Sequence, residues 1–194
     1  MRVLPVVLLV LLVAAGLGLQ QHLTRQIDLE GPHVLAAASD GGFYLATGTR
    51  LYRLDERERV VARYEAAQLG VGRFDSLLAG TQGRLWVYDS EARRVLVCDL
   101  PVPCTPFDAG QTAFSANAIL AERPAGQGLL LSDNRHHRLQ ALDAQGQVQS
   151  HPLQTGWRFP NQISAWQGDW LLADTDRRQL VKLVADAQGR PARR

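Results

Sequence analysis

Four polar side chains recur at nearly even spacing along this 194-residue chain: His33, Asp75, Asn117 and Asn161, separated by 42, 42 and 44 residues. Each stands just before a short apolar run, so each occupies the same point of a repeated element. An imidazole, a carboxylate and two amides brought to one place would suit a hard divalent cation or a polar ligand. The plainer role for Asp and Asn at such points is to hydrogen-bond the backbone amides of their own turns. A second series, Asp89, Asp133 and Asp174, closes apolar runs and precedes Arg94, Arg138 and Gln179 by five residues. These carboxylates are expected to cap the following turn or to pair with the arginine.

Other candidates carry less chemistry. His136 and His137 are adjacent, and neighbouring side chains on a strand point to opposite faces, so the pair is not expected to chelate a metal. Trp157, within Gly156-Trp157-Arg158-Phe159-Pro160, falls in a loop and is expected to make a surface contact with a ligand or partner. Trp86, Trp166 and Trp170 fall on strands and are expected mostly in the core. No nucleophile elbow, phosphate-cradling loop or dinucleotide fingerprint is present, and no residue is assigned a catalytic role.

The elements that position these residues are short strands. From residue 32 onward, apolar runs alternate with Gly, Asp and Gln turns and show no long helical period. The turns Asp40-Gly41-Gly42, Thr81-Gln82-Gly83, Gly126-Gln127-Gly128 and Gln167-Gly168-Asp169 each separate two apolar runs, which is a hairpin signal. The second half of each unit repeats more closely: Asp133-Asn134-Arg135-His136-His137-Arg138-Leu139 aligns with Asp174-Thr175-Asp176-Arg177-Arg178-Gln179-Leu180 and with Asp89-Ser90-Glu91-Ala92-Arg93-Arg94-Val95. Each unit therefore reads as a four-stranded meander. One such sheet has two apolar faces and must stack on its neighbours to bury them.

That frame resembles the NHL repeat, whose typical line runs Asp-Thr-Gly-Asn-His-Arg-Ile; the likeness covers roughly residues 32–190. It implies an all-β β-propeller of about four four-stranded blades, with innermost strands lining a central channel and His33, Asp75, Asn117 and Asn161 around one mouth. The regucalcin and gluconolactonase families are similar in placing Asn and acidic groups around a channel-mouth metal, although their Glu-Asn-Asp set is not reproduced here. No outer strand is expected after Gly189, so His22–Leu29, which alternates like a strand, could complete the last blade and close a four-bladed ring. The alternative is an incomplete ring that pairs with another copy.

The N-terminus concerns location. Val3–Leu19 is an uncharged apolar run after Arg2; as a helix it would span roughly 25 Å, close to a bilayer core. Residues 1–20 read as a signal-anchor helix with Arg2 on the cytoplasmic side; a cleaved signal ending near Ala14-Ala15 is the alternative. Both place the remainder outside the cytoplasm, with residues 21–31 as a linker or closing strand and 32–194 as the folded domain. Cys98 and Cys104, flanking Asp-Leu-Pro-Val-Pro, are expected to form a disulfide in such a compartment, and their spacing is poor for zinc. A formal net charge of +2, with three arginines in the last five residues, excludes a nucleic-acid-binding stripe. Nearly all cations are Arg, with Lys182 the only lysine, a usage read as bacterial.

Together these features describe a protein held in a bacterial inner membrane by residues 3–19 with its propeller in the periplasm. It is expected to bind an envelope protein or a small ligand and to need no cofactor. The alternative is a metal-dependent lactonase- or lyase-type enzyme with a divalent cation at the His33, Asp75, Asn117 and Asn161 ring.

Overall fold

The computed structural model describes residues 33–107, 114, 118–123, 126–149, 156–186 and 191–193. The apolar run at 3–19, the alternating segment at 22–29 and Asn117 lie outside these residues. No helix among the described residues is long and apolar enough to cross a membrane.

Each sequence unit folds as one antiparallel four-stranded sheet in simple meander order. The first blade holds β1 (His33–Ala37), β2 (Phe43–Thr47), β3 (Arg50–Leu54) and β4 (Val60–Glu65). The second holds β5 (Ser76–Ala79), β6 (Leu85–Asp89), β7 (Arg94–Cys98) and β8 (Thr105–Pro106). The third holds β9 (Ala118–Glu122), β10 (Leu129–Asp133), β11 (Arg138–Leu142) and β12 (Val148–Gln149). The fourth holds β13 (Pro160–Trp166), β14 (Asp169–Asp174), β15 (Gln179–Ala185) and β16 (Pro191–Arg193). All four glycine-bearing turns form the hairpins between first and second strands, as their residues predict.

The fourth blade corrects one expectation. Its outer strand is β16, which pairs with β15 through Leu183–Arg193, Val184–Ala192 and Ala185–Pro191. Proline is tolerated there because an edge strand leaves one row of amides unpaired. The last blade therefore does not need residues 22–29 to complete it.

Alternation of side chains on each strand gives every blade two faces. In the second blade Leu77, Leu85, Val87 and Leu96 join Ala36, Ala46 and Leu51 of the first in one core cluster. Trp86, Tyr88 and Val95 on its other face join Leu120, Leu129 and Leu131 of the third. Ala121, Leu130 and Leu139 then meet Ile163, Trp170 and Leu172 of the fourth. The core is thus three successive interfaces between blades, with inner strands β1, β5, β9 and β13 packed in sequence. Among the described residues β13 has no comparable packing against β1.

Two tryptophans exchange the places expected of them. Trp157 is only 4% exposed and lies in the core between the third and fourth blades. It is not a surface contact, because the connection between the blades crosses apolar surface that needs covering. Trp166, on the open side of the fourth blade, is the exposed one, and Lys182 Nζ lies 5.0 Å from its ring centroid. The disulfide between Cys98 and Cys104 is present and ties the end of β7 to the approach to β8.

Candidate functional site

One end of the blades is organised by the buried aspartates that close the second strands. Asp89, Asp133 and Asp174 are fully buried. Asp89 accepts backbone N–H bonds from Gly72 (2.9 Å) and Arg73 (3.2 Å), which lead into β5, and from Glu91 (3.2 Å) and Ala92 (3.3 Å) in its own turn. Asp174 repeats the pattern with the amides of Phe159 (2.7 Å) and Arg158 (3.1 Å), just before β13. Asp133 also meets side chains: His136 Nδ1 at 2.7 Å and Arg138 at 3.2 Å. The arginine five residues on is 3.8 Å away in the second blade, and Gln179 takes its place in the fourth at 3.4 Å. In the second and fourth blades these carboxylates staple the connection arriving from the preceding blade to the end of the second strand.

Of the four predicted ligand positions, His33, Asp75 and Asn161 are described and stand at or beside the starts of β1, β5 and β13, at this same end. His33 is exposed at the start of β1. Asp75 is engaged by the Ser90 amide at 3.0 Å and by Arg73 Nε at 3.1 Å, so both its oxygens already serve the turn. Asn161 is exposed and accepts from Asn134 Nδ2 at 3.4 Å. No group of three His, Cys, Asp or Glu side chains suited to a metal occurs among the described residues. His136 and His137 diverge as expected: the first bonds Asp133, the second the carbonyl of Arg158 in the next connection.

A concave site lies at the opposite end, among the glycine-bearing turns of the second, third and fourth blades. Its volume is about 490 Å³, within the ~300–1,000 Å³ of small-molecule pockets. Trp86 of β6 and Phe107 pack edge to face at 4.6 Å and 72° and supply an aromatic wall. Trp170 supplies another and donates its Nε1–H to the Glu122 carbonyl at 3.0 Å. The Glu122 carboxylate accepts from the amide and hydroxyl of Thr81, at 2.9 and 3.0 Å, and so locks the β5–β6 hairpin to the third blade. Gly80 is required at that contact: a Cβ there would stand 2.6 Å from Trp86 Nε1.

The basic groups of the cavity differ in their freedom. Arg123 is buried and donates to the Leu142 carbonyl at 3.2 Å and to Gln149 Oε1 at 2.9 Å. Burial holds its guanidinium pKa below the usual arginine value. Arg84 is exposed at the rim, where it also borders a smaller hollow of about 260 Å³ beside Asp40 and Arg53. There the Arg53 guanidinium, bonded to Asp40, lowers that carboxyl below the ordinary aspartate value. The cavity thus offers flat apolar walls, a buried and already engaged cation, and an open arginine.

Four meanders packed face on face with their first strands adjacent decide the architecture. The fold is a β-propeller. Solved structures agree: a streptogramin B lyase superposes with a TM-score of 0.65 at 14% identity, covering 86% of this chain and 55% of its own. A candidate gluconolactonase gives 0.61 at 12% identity, covering 81% of this chain and 60% of its own. An auxiliary nutrient binding protein from Bacteroides ovatus gives 0.59 at 12%, covering 79% and 38%. The chain therefore spans between about two-fifths and three-fifths of these propellers' lengths. No protein-family model and no curated protein matches it by sequence.

The cavity was not marked out by the sequence because its residues sit in turns with no shared register. Thr81, Phe107, Glu122 and Trp170 come from four different parts of the repeat and meet only when blades stack. One signal was available: Glu122-Arg123 places two charges at the end of an apolar run where the other units have none.

Proposed function

We infer that this propeller is a binding module that holds a small, partly apolar ligand in the cavity between its second, third and fourth blades. The observation that carries this reading is the cavity itself, with aromatic walls from the second and fourth blades and an arginine at its rim. One propeller of like fold, an auxiliary nutrient binding protein, is compatible with it. An extracytoplasmic setting is part of the proposal. It is supported by the apolar run at 3–19 and by the Cys98–Cys104 bridge, since disulfides persist in oxidising compartments.

A divalent-cation enzyme at His33, Asp75, Asn117 and Asn161 would need Asp75 to exchange the Ser90 amide and Arg73 for a metal. Two propellers of like fold are named for lyase or lactonase activity, but among the described residues no contact on that end of the molecule favours this reading over the cavity.

The test is binding of a small-molecule panel followed by tryptophan fluorescence, since Trp86 and Trp170 line the site. Ala165, an exposed residue on the cavity wall, provides the control. Ala165→Trp should fill the space and weaken a genuine ligand at least tenfold while leaving the fold intact. Undiminished binding by that variant would place the ligand elsewhere.

A further inference from the structure

Among the described residues the two terminal blades leave one face each without a neighbour, and repeat positions show what those faces are built to meet. Leu51, Val95 and Leu139 hold equivalent places on the third strands of blades one to three, next to the residue that starts each strand. All three are at most 2% exposed because the following blade covers them. Leu180 holds that place in the fourth blade and is 67% exposed. At the other end of the array, Leu77 of β5 is 8% exposed in the interface with the first blade. Its counterpart Leu35 on β1 is 63% exposed.

The outer part of the first blade's free face is closed by its own side chains. Tyr52 and Leu54 are buried in a cluster with Phe43, Leu45 and Val60, and Arg63 lies 5.0 Å over the Tyr52 ring. The inner part, at Leu35, is open, and inner strands are where successive blades pack in this chain. Leu180 and Trp166 mark the corresponding open surface of the fourth blade.

We propose that a second copy of this chain covers both faces, the fourth blade of each packing on the first blade of the other. This continues the interface already made three times within one chain. Two arcs of four blades make eight, within the roughly four to eight of closed propellers. The contact is head-to-tail and closes because a two-fold rotation brings each free face to its complement. It is independent of what the cavity binds.

The experiment is light scattering of the full chain in mild detergent, with the detergent contribution subtracted, for the unaltered protein, Leu35→Arg and Leu180→Arg. Both substitutions are at exposed sites, and far-UV circular dichroism checks that the blades persist. The expected result is a dimer of twice the 21.4 kDa chain for the unaltered protein and at least a tenfold weaker dimer for each variant. Mixing the two variants should recover association beyond either alone, because the mixed dimer keeps one interface free of arginine. A monomer for the unaltered chain overturns the proposal. So does a dimer that both variants preserve, one that only a single variant weakens, or a mixture no stronger than its components.

Discussion

Replacement of Asp89 by alanine tests the claim that buried aspartates hold the connections into the second and fourth blades in place. The carboxylate is fully buried and accepts four backbone amides. The two from Gly72 and Arg73 cross to the segment that leads into β5, while those from Glu91 and Ala92 are contacts within the local turn. Hydrogen bonds to a charged group contribute about 1.5–3 kcal/mol each. Counting only the two long-range bonds near the low end gives a loss of roughly 3–4 kcal/mol, a large share of the ~5–15 kcal/mol typical of a domain. For a domain of this size that corresponds to a fall in Tm of about 6–16 °C. The assay is thermal unfolding followed by far-UV circular dichroism and tryptophan fluorescence. Asp89→Asn retains one carbonyl acceptor and should lose about half as much. A loss under about 1 kcal/mol for Asp89→Ala would refute the reasoning, since water would then serve the amides as well. Equal losses for Ala and Asn would move the effect from the amides to the charge and to Arg94, 3.8 Å away.

Two further substitutions probe the same framework. Removing the Cys98–Cys104 bridge by double alanine substitution should cost about 2–2.5 kcal/mol from loop-closure entropy over six positions, measured as a reductant-insensitive fall in stability relative to the oxidised protein. Arg178 has φ of 53° after the turn that follows β14; a left-handed L residue costs roughly 1–2 kcal/mol and glycine's added freedom about 0.5–1. Arg178→Gly should therefore raise stability by roughly 0.5–1 kcal/mol, and a fall in Tm would show that the arginine side chain contributes more than its backbone strain removes.

Legibility of the fold followed from repetition. Each hairpin turn was marked by glycine in a place where the chain must reverse between two apolar runs, and the spacing from Asp89 to Arg94, Asp133 to Arg138 and Asp174 to Gln179 located the second turn of three units. The positions Arg93, His137 and Arg178, all with φ between 51° and 55°, show that this spacing encodes one backbone conformation whether the residue is arginine or histidine. Strand β16 escaped notice because Pro191-Ala192-Arg193 has neither alternation nor β-branched residues; it is a strand only because β15 offers it an edge. Trp157 was misplaced for a related reason. A residue in a connection is exposed only when that connection crosses solvent, and here it crosses the seam between two blades.

The candidate site was less legible because register and proximity are different properties. His33, Asp75 and Asn161 recur at similar spacing and stand at the same end of the inner strands. Asn161, however, falls in the bulge one residue beyond the Pro160–Asp174 pair, whereas His33 pairs directly with Thr47. Recurrence also means that each inherits the local duty of its place, as Asp75 does in bonding the turn at Ser90. The cavity arises from the opposite condition. Glu122 bonds Thr81, 41 residues away, and the Trp170 indole bonds the Glu122 carbonyl 48 residues away, each link joining adjacent blades. A binding site that is built from what the repeats do not share can change its ligand without disturbing the blades. The turn ends of this propeller are therefore free to specialise, while the aspartate end is held to its structural work.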